Sequence, residues 1–458
     1  MSTTTKPEAT PAMEALTLVN ALYTMYHTHQ QEKNTPGGSQ SLSLSDNAFI
    51  DQCVNSLETQ SKYLEAHDLV RLVNVLKQLH YHSHNVTVWL TRRCTLIAAQ
   101  LPVADLCQLF YNLHCIGCQD SLTAIVNQII EHKNDLTEKD LGYIFRVLSQ
   151  QKNTNNSSAK LLTVVQQKGL NYLRTVDHCS YHSRFLKCLT LYDKRTPSNV
   201  FQIIDSVSRR FLDTVGERDL LTFLSCADPD GVRGIDQNPK YAHIMHQFVN
   251  VLESKVMTMN IHLFGELLET LSILRVDTTG VMDKVLVRLD KDAGRLTIPH
   301  LVETLYLLSS YPPAQGHSCI VSLTYTAVFR AEGMNAKDIQ SIAISLAHLK
   351  FFTDDFFELL VVLNKKKGGF RTVGDLVEFL ELLDGTFYAE ERSLPVVYES
   401  VIALSAVMND EEVAAVRKIL HHSGVKPTFL QQLFSAVKVE HRKTSSRKKS
   451  PDRFGEFL

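Results

Sequence analysis

At 458 residues, with 44% apolar and 21% charged side chains, the chain has the balance of a folded soluble protein, not of a low-complexity one. A net charge of −2 excludes a uniformly basic nucleic-acid binder. No apolar run approaches a membrane span: Phe356–Leu363 is among the longest, and Glu358 interrupts it.

Residues 1–12 read as disordered, and Met13–Gln30 follows as a helix with Leu16, Val19, Leu22 and Tyr23 on one face. No secretory signal is evident, and with Glu8 and Glu14 early and Arg71 the first arginine, the segment makes a poor mitochondrial transit peptide. Glu32–Ser45 is a linker marked by Pro36, Gly37 and Gly38, after which Ser45 or Asp46 can cap a helix carrying Phe49, Ile50, Cys53, Val54 and Leu57. We expect residues 1–45 to be an irregular N-terminal segment with one helix, residues 46–440 an array, and residues 441–458 a basic tail.

The array announces itself at Asp68–Leu79, where an acid precedes Leu69, Leu72, Val73, Leu76 and Leu79 at helical spacing. The phrase returns at Asp105, Asp140, Asp219, Asp338 and Asp375, with weaker copies near Cys179, His262, His300 and Glu412. These ten anchors stand 35 to 43 residues apart, the period of stacked helical hairpins. The spacing predicts an all-α fold, an α-solenoid of about ten hairpins of about 38 residues, each burying an apolar stripe it cannot bury alone. The second helices are expected at Val86–Leu101, Ser121–His132, Leu161–Arg174, Val200–Val215, Tyr241–Val256, Val281–Leu289, Cys319–Arg330, Asp355–Leu363, Leu394–Leu404 and Thr428–Val439. The recurring Asp is expected to begin each helix and cap its free N–H groups. Loops at Gln150–Lys160, Ala227–Lys240 and Tyr311–Gly316 interrupt the pattern and are candidates for partner contact.

Catalytic and metal motifs fail one by one. Cys115 and Cys118 form a lone CxxC near Cys107 and His114, with no second pair to complete a zinc set. A calcium-loop start at Asp228, Asp230 and Gly231 meets Pro239 where a bidentate Glu is needed. Gly316–Ile320 begins like a nucleophile elbow but lacks the closing Gly. His243 and His246 share a helix face without further ligands. The sequence thus predicts no catalytic residue, no cofactor and no metal site. Nine cysteines, an odd number without disulfide spacing, fit a reducing compartment.

Positive charge is the better functional clue. Lys365, Lys366, Lys367 and Arg371 form one cluster beside Phe370, which could stack a base or sit in the core. Arg442, Lys443, Arg447, Lys448 and Lys449 form another, within a stretch of seven Lys or Arg against two acids between Lys438 and Arg453. Arg92-Arg93 and Arg209-Arg210 lie late in second helices. Cations along one surface neutralise phosphates without reading sequence, so the first two clusters are the candidate RNA-binding residues.

Repeats opening D-[LI]-x-x-[LIF]-x-x-x-[LV], clearest at Asp68, Asp105, Asp140, Asp338 and Asp375, resemble those of octotricopeptide-like and Fas-activated-kinase-like organellar repeat proteins. In architecture the chain is also similar to kinetoplastid mitochondrial RNA-editing factors, especially guide-RNA-associated subunits of the editing substrate-binding complex. The RAP domain of the first group is not recognisable. The resemblance implies a non-enzymatic protein that binds guide RNA or mRNA together with other protein subunits, off the membrane, in the mitochondrial matrix or alternatively the cytoplasm. A second reading is a protein-only HEAT- or armadillo-like scaffold that ignores RNA.

Overall fold

The computed structural model describes residues 10–33, 44–81, 83–118, 122–151, 155–227, 239–366, 369–370, 372–383, 394–422 and 425–448, with backbone alone at residues 32–33, 44–45, 239, 394 and 438–448. Among the described residues there are 22 α-helices and no strand. The chain divides into two units, residues 1–244 and 245–458.

In the first unit the hairpins are α1 (Pro11–Lys33) with α2 (Leu44–Gln60), α3 (Ala66–Gln78) with α4 (His84–Ile97), and α5 (Val103–Cys115) with α6 (Leu122–Glu131). Then come α7 (Glu138–Leu148) with α8 (Asn156–Tyr172), α9 (Cys179–Leu191) with α10 (Pro197–Arg210), and α11 (Glu217–Cys226), while α12 (Pro239–Lys255) runs across the division at residue 244. The second unit contains α13 (Phe264–Ile273) with α14 (Thr279–Asp292), α15 (Ile298–Ser309) with α16 (Ser318–Arg330), and α17 (Ala336–His348) with α18 (Asp354–Lys365). It ends with α19 (Val373–Leu382), α20 (Leu394–Leu404), α21 (Asp410–His422) and α22 (Pro427–Lys448). In the first unit α1, α3, α5, α7, α9 and α11 pack in succession, as do α2, α4, α6 and α8; in the second, α13, α15, α17, α19 and α21 do, and α14, α16, α18, α20 and α22, giving two layers of helices in each.

The anchor phrase explains the odd layer residue by residue. In α3, α5, α9, α13 and α17, the residues one, two, four, five, seven and eight places after the anchor are buried. Two adjoining stripes are thus closed off, one for the paired even helix and one for the neighbouring odd helices. Each fully buried Leu or Ile contributes about 1.5–3 kcal/mol relative to its exposed state. This register moves two weak copies: Tyr181, not Cys179, and Leu263, not His262, occupy the anchor place. It also reveals an eleventh copy. In α1, Ala15, Val19 and Leu22 are buried at the same offsets from Glu14, and α1 packs on both α2 and α3. The packing therefore begins at α1, and Leu16, expected inward, is 40% exposed.

The acidic anchors from Asp68 to Glu412 are the third residues of their helices, not the first. Threonine or asparagine supplies the cap where there is one: Asp140, Asp338 and Asp375 donate their backbone N–H to Thr137, Asn335 and Thr372, whereas Asp68, Asp105 and Asp219 follow Glu65, Pro102 and Gly216, which supply no side-chain cap bond. The third-position acid then closes the box, Asp140 accepting from the Thr137 N–H and Glu412 from the Asn409 N–H, both at 2.8 Å. Asp219 and Asp375 instead accept from Ser183 and Gln340 of the preceding repeat.

The even layer is tied by a recurring cation. Arg93 donates to the carbonyls of Lys62 (3.2 Å) and Leu64 (3.0 Å) beyond α2. Lys168 donates to Lys133 (3.2 Å) and Asn134 (2.8 Å), and Arg210 to Leu173 (2.7 Å) and Val176 (2.9 Å). In the second unit Arg288 reaches Met257, Arg330 reaches Gly294 and Leu296, and Lys366 reaches Glu332 at 2.8 Å. Each cation sits near the end of one even helix, or just past it, and satisfies orphan carbonyls at the end of the previous one.

Tyr311–Gly316 contains the 3₁₀ turn Pro312–Ala314, which ends α15's run. Most of the Ala227–Lys240 loop, with Asp228, Asp230 and Gly231, lies outside the described residues. The last helix reaches Lys448, nine residues beyond the expected end.

Candidate nucleic-acid interface

Burial of the two stripes leaves the third and sixth residues after each anchor, and the ninth one turn on, on the remaining face of the odd layer. In the first unit those places hold Asn20 and Tyr23 on α1, Arg71 and Lys77 on α3, Tyr111 on α5, Tyr143 and Arg146 on α7, and Arg184 and Lys187 on α9. Side chains from successive repeats interleave there. The Arg71 guanidinium lies 4.2 Å from the Tyr23 ring and donates to Asn20 at 3.0 Å. The Lys77 ammonium lies 4.6 Å from the Tyr111 ring, and Arg146 approaches the same ring at 5.0 Å while donating to its hydroxyl at 3.2 Å. Tyr111 stacks on Tyr143 at 5.5 Å and 26°. Cations and rings thus interleave over α1 to α7, with Arg71, Lys77 and Arg146 each at a ring face, and α9 adds the cations Arg184 and Lys187.

The ladder opens into a cleft of about 660 Å³ between α7 and α9, lined in part by Lys139, Tyr143, Arg146 and Arg184. Arg184 makes no hydrogen bond or ion pair among the described residues. Burial lowers its pKa, the neighbouring Arg146 charge lowers it further, and Asp219 and Tyr111 act in the opposite sense. Two half-buried guanidinium groups that repel each other favour an anion between them.

Of the RNA-binding residues expected from sequence, only Lys365 and Lys366 are described with their side chains, and neither belongs to the ladder's helices. Lys365 is exposed at the end of α18, and Lys366 is engaged with the Glu332 carbonyl. Lys367, Arg371 and Lys449 lie outside the described residues. Arg442, Lys443, Arg447 and Lys448 fall on α22, where the backbone alone is described. Phe370 is a core residue, 4.4 Å ring to ring from Phe379. Arg93 and Arg210 are clamps of the even layer. The ladder was missed because its cations, Arg71, Lys77, Arg146 and Arg184, are single residues scattered over three helices, and a search for runs of charge passes over them. The signal was present as the third and sixth places after each anchor.

The other polar candidates occupy ordinary positions. Cys107 and Cys118 are buried, and burial pushes the Cys118 thiol up to about 11 and Cys107 beyond that, so both are protonated. Burial also holds His114 below the usual imidazole range. Among the described residues no three His, Cys, Asp or Glu side chains gather as metal ligands. Ser318 opens α16 and donates to Asp290 at 2.8 Å, and His243 and His246 are both exposed on α12. No described helix is long and apolar enough to cross a membrane.

The profile of the RNA-editing substrate-binding complex 8 protein family matches residues 43–437, nearly the whole array. The chain belongs to that family. It is therefore a component of an RNA-editing substrate-binding complex. The match takes in α3 to α9 of the ladder, while Tyr23 on α1 precedes it. No curated protein matches the chain.

Proposed function

We propose that this subunit is a non-catalytic RNA carrier of the editing machinery, working in the mitochondrial matrix and gripping single-stranded guide RNA or mRNA on the first unit's odd-helix face. The observation behind this reading is the alternation of Arg71, Lys77, Arg146 and Arg184 with Tyr23, Tyr111 and Tyr143 across five helices. Arg146 and Arg184 hold a backbone phosphate in the cleft, and Tyr143 offers a ring to a splayed base. Stacking is open only to unpaired bases, so the reading selects single strands over A-form duplex. Contacts of this kind tolerate any sequence, as suits a subunit that handles many transcripts.

Ultraviolet crosslinking of a bound single-stranded RNA to the full chain tests the reading. Adducts are expected on the peptides carrying Tyr111 and Tyr143. Adducts confined to the second unit, or none at physiological salt, would leave the protein-only scaffold in its place.

A further inference from the structure

The even layer carries a second surface that the RNA reading does not use. The clamp cations Arg288, Arg330 and Lys366 set the register of three adjacent even helices in the second unit. On the middle helix, α16, the residues one, five and nine places before the clamp are Phe329, Tyr325 and Val321, which are 79%, 63% and 50% exposed. Val287 on α14 stands beside Phe329 in this register and is 41% exposed. In the first unit the place before the clamp holds Arg92, Gln167 and Arg209. Three large apolar side chains on one exposed stripe mark a contact surface, not scattered exposure.

The surrounding charges say what covers it. In this register Asp283 on α14 is level with Tyr325 and Glu358 on α18 with Ser322, both exposed. The C-terminal half of the stripe is flanked by exposed Lys291 on α14 and Lys365 on α18. Acids on both sides of the stripe disfavour a polyanion, and the cations lie nearer its C-terminal end. From Val321 to Phe329 the stripe spans about 12 Å, a little over two helical turns. We infer that this face receives an amphipathic helix from another protein subunit of the complex. That helix carries apolar residues at spacings of three and four, cations over Asp283 and Glu358, and acids at the end over Lys291 and Lys365.

The test uses the full chain inside the assembled complex. A photo-crosslinking phenylalanine replaces Phe329, and in a control replaces Gln167 at the same register of the first unit. The expected result is a crosslink from position 329 to one helical segment of a different subunit with the stated pattern, and none to that segment from position 167. The double variant Tyr325→Asp/Phe329→Asp, judged folded by an unchanged Tm, should bind that subunit at least tenfold more weakly and bind RNA as before. Crosslinks from position 329 to RNA or to a second copy of this chain, no crosslink at all, or full retention of the subunit by the folded double variant would overturn the inference. Loss of RNA crosslinks at Tyr111 and Tyr143 bears on the RNA reading alone.

Discussion

Arg146 stands where two repeats meet: its guanidinium lies on the Tyr111 ring, its Nη1 donates to the Tyr111 hydroxyl, and Arg184 shares its cleft. Arg146→Gln should weaken RNA binding and cut the slope of log affinity against log salt by about 0.7, one phosphate contact on a single strand. Fluorescence anisotropy over a salt series measures both. Arg184→Gln should do the same, and should not reduce the Tm, because it removes a charge held beside another of the same sign. His182 predicts a different behaviour. It is fully buried, with Nε2 3.2 Å from both the Leu173 carbonyl and the Ser206 hydroxyl. Burial holds its pKa below the ordinary 6.5, Arg210 pushes the same way, and the carbonyls of His178 and Leu173 oppose both. The folded chain therefore keeps His182 neutral while the unfolded chain takes up the proton near 6.5. Stability is complete above that pH and falls as pH drops through it. Melting curves between pH 7.5 and 5 should show the Tm falling, and His182→Gln should flatten that fall.

At the scale of helices, two devices fix how neighbours approach. Arg330 clamps the carbonyls of Gly294 and Leu296, and Arg330→Met should cost about 1–3 kcal/mol through lost charged hydrogen bonds, read as a lower Tm. Gly169 lets α8 lie close against α7 and α9: a Cβ there would stand 2.8 Å from Phe145 and 3.1 Å from Phe185. Gly169→Ala should therefore destabilise by about 1–3 kcal/mol in denaturant titration, as overpacked cores do. The hairpins themselves were legible in the sequence because apolar spacing and period repeat with little drift. Their registers were less so where the anchor is not acidic. At Tyr181 and Leu263 the cue residue is aromatic or aliphatic, and the eye settles on Cys179 or His262 nearby. At Glu14 the copy was hidden by its distance, 54 residues, from Asp68. The capping role assigned to the recurring Asp was half right: threonine and asparagine cap where a side-chain cap forms, and the acid three places on closes the box or bonds the preceding repeat.

Over the whole molecule, the same register carries opposite charge in the two units. The third and sixth places after the anchors include Arg71, Tyr111, Tyr143, Arg146, Arg184 and Lys187 in the first unit, and no acid. In the second they include Glu266, Glu269, Glu303, Glu378 and Glu381, all exposed. A polyanion is drawn to the first set and repelled by the second, and a net charge of −2 conceals both. Composition and charge runs point to other cations, because the ladder's cations reach one surface only after the hairpins stack, while Lys366 is engaged with the Glu332 carbonyl. The most direct measurement is a salt titration of single-stranded RNA binding by the full chain and by Arg71→Gln/Arg146→Gln/Arg184→Gln. The account predicts that the triple variant keeps its fold, binds more weakly, and loses about 2 from the log–log slope. An unchanged slope, or a wild-type chain that ignores RNA near physiological salt, would contradict it.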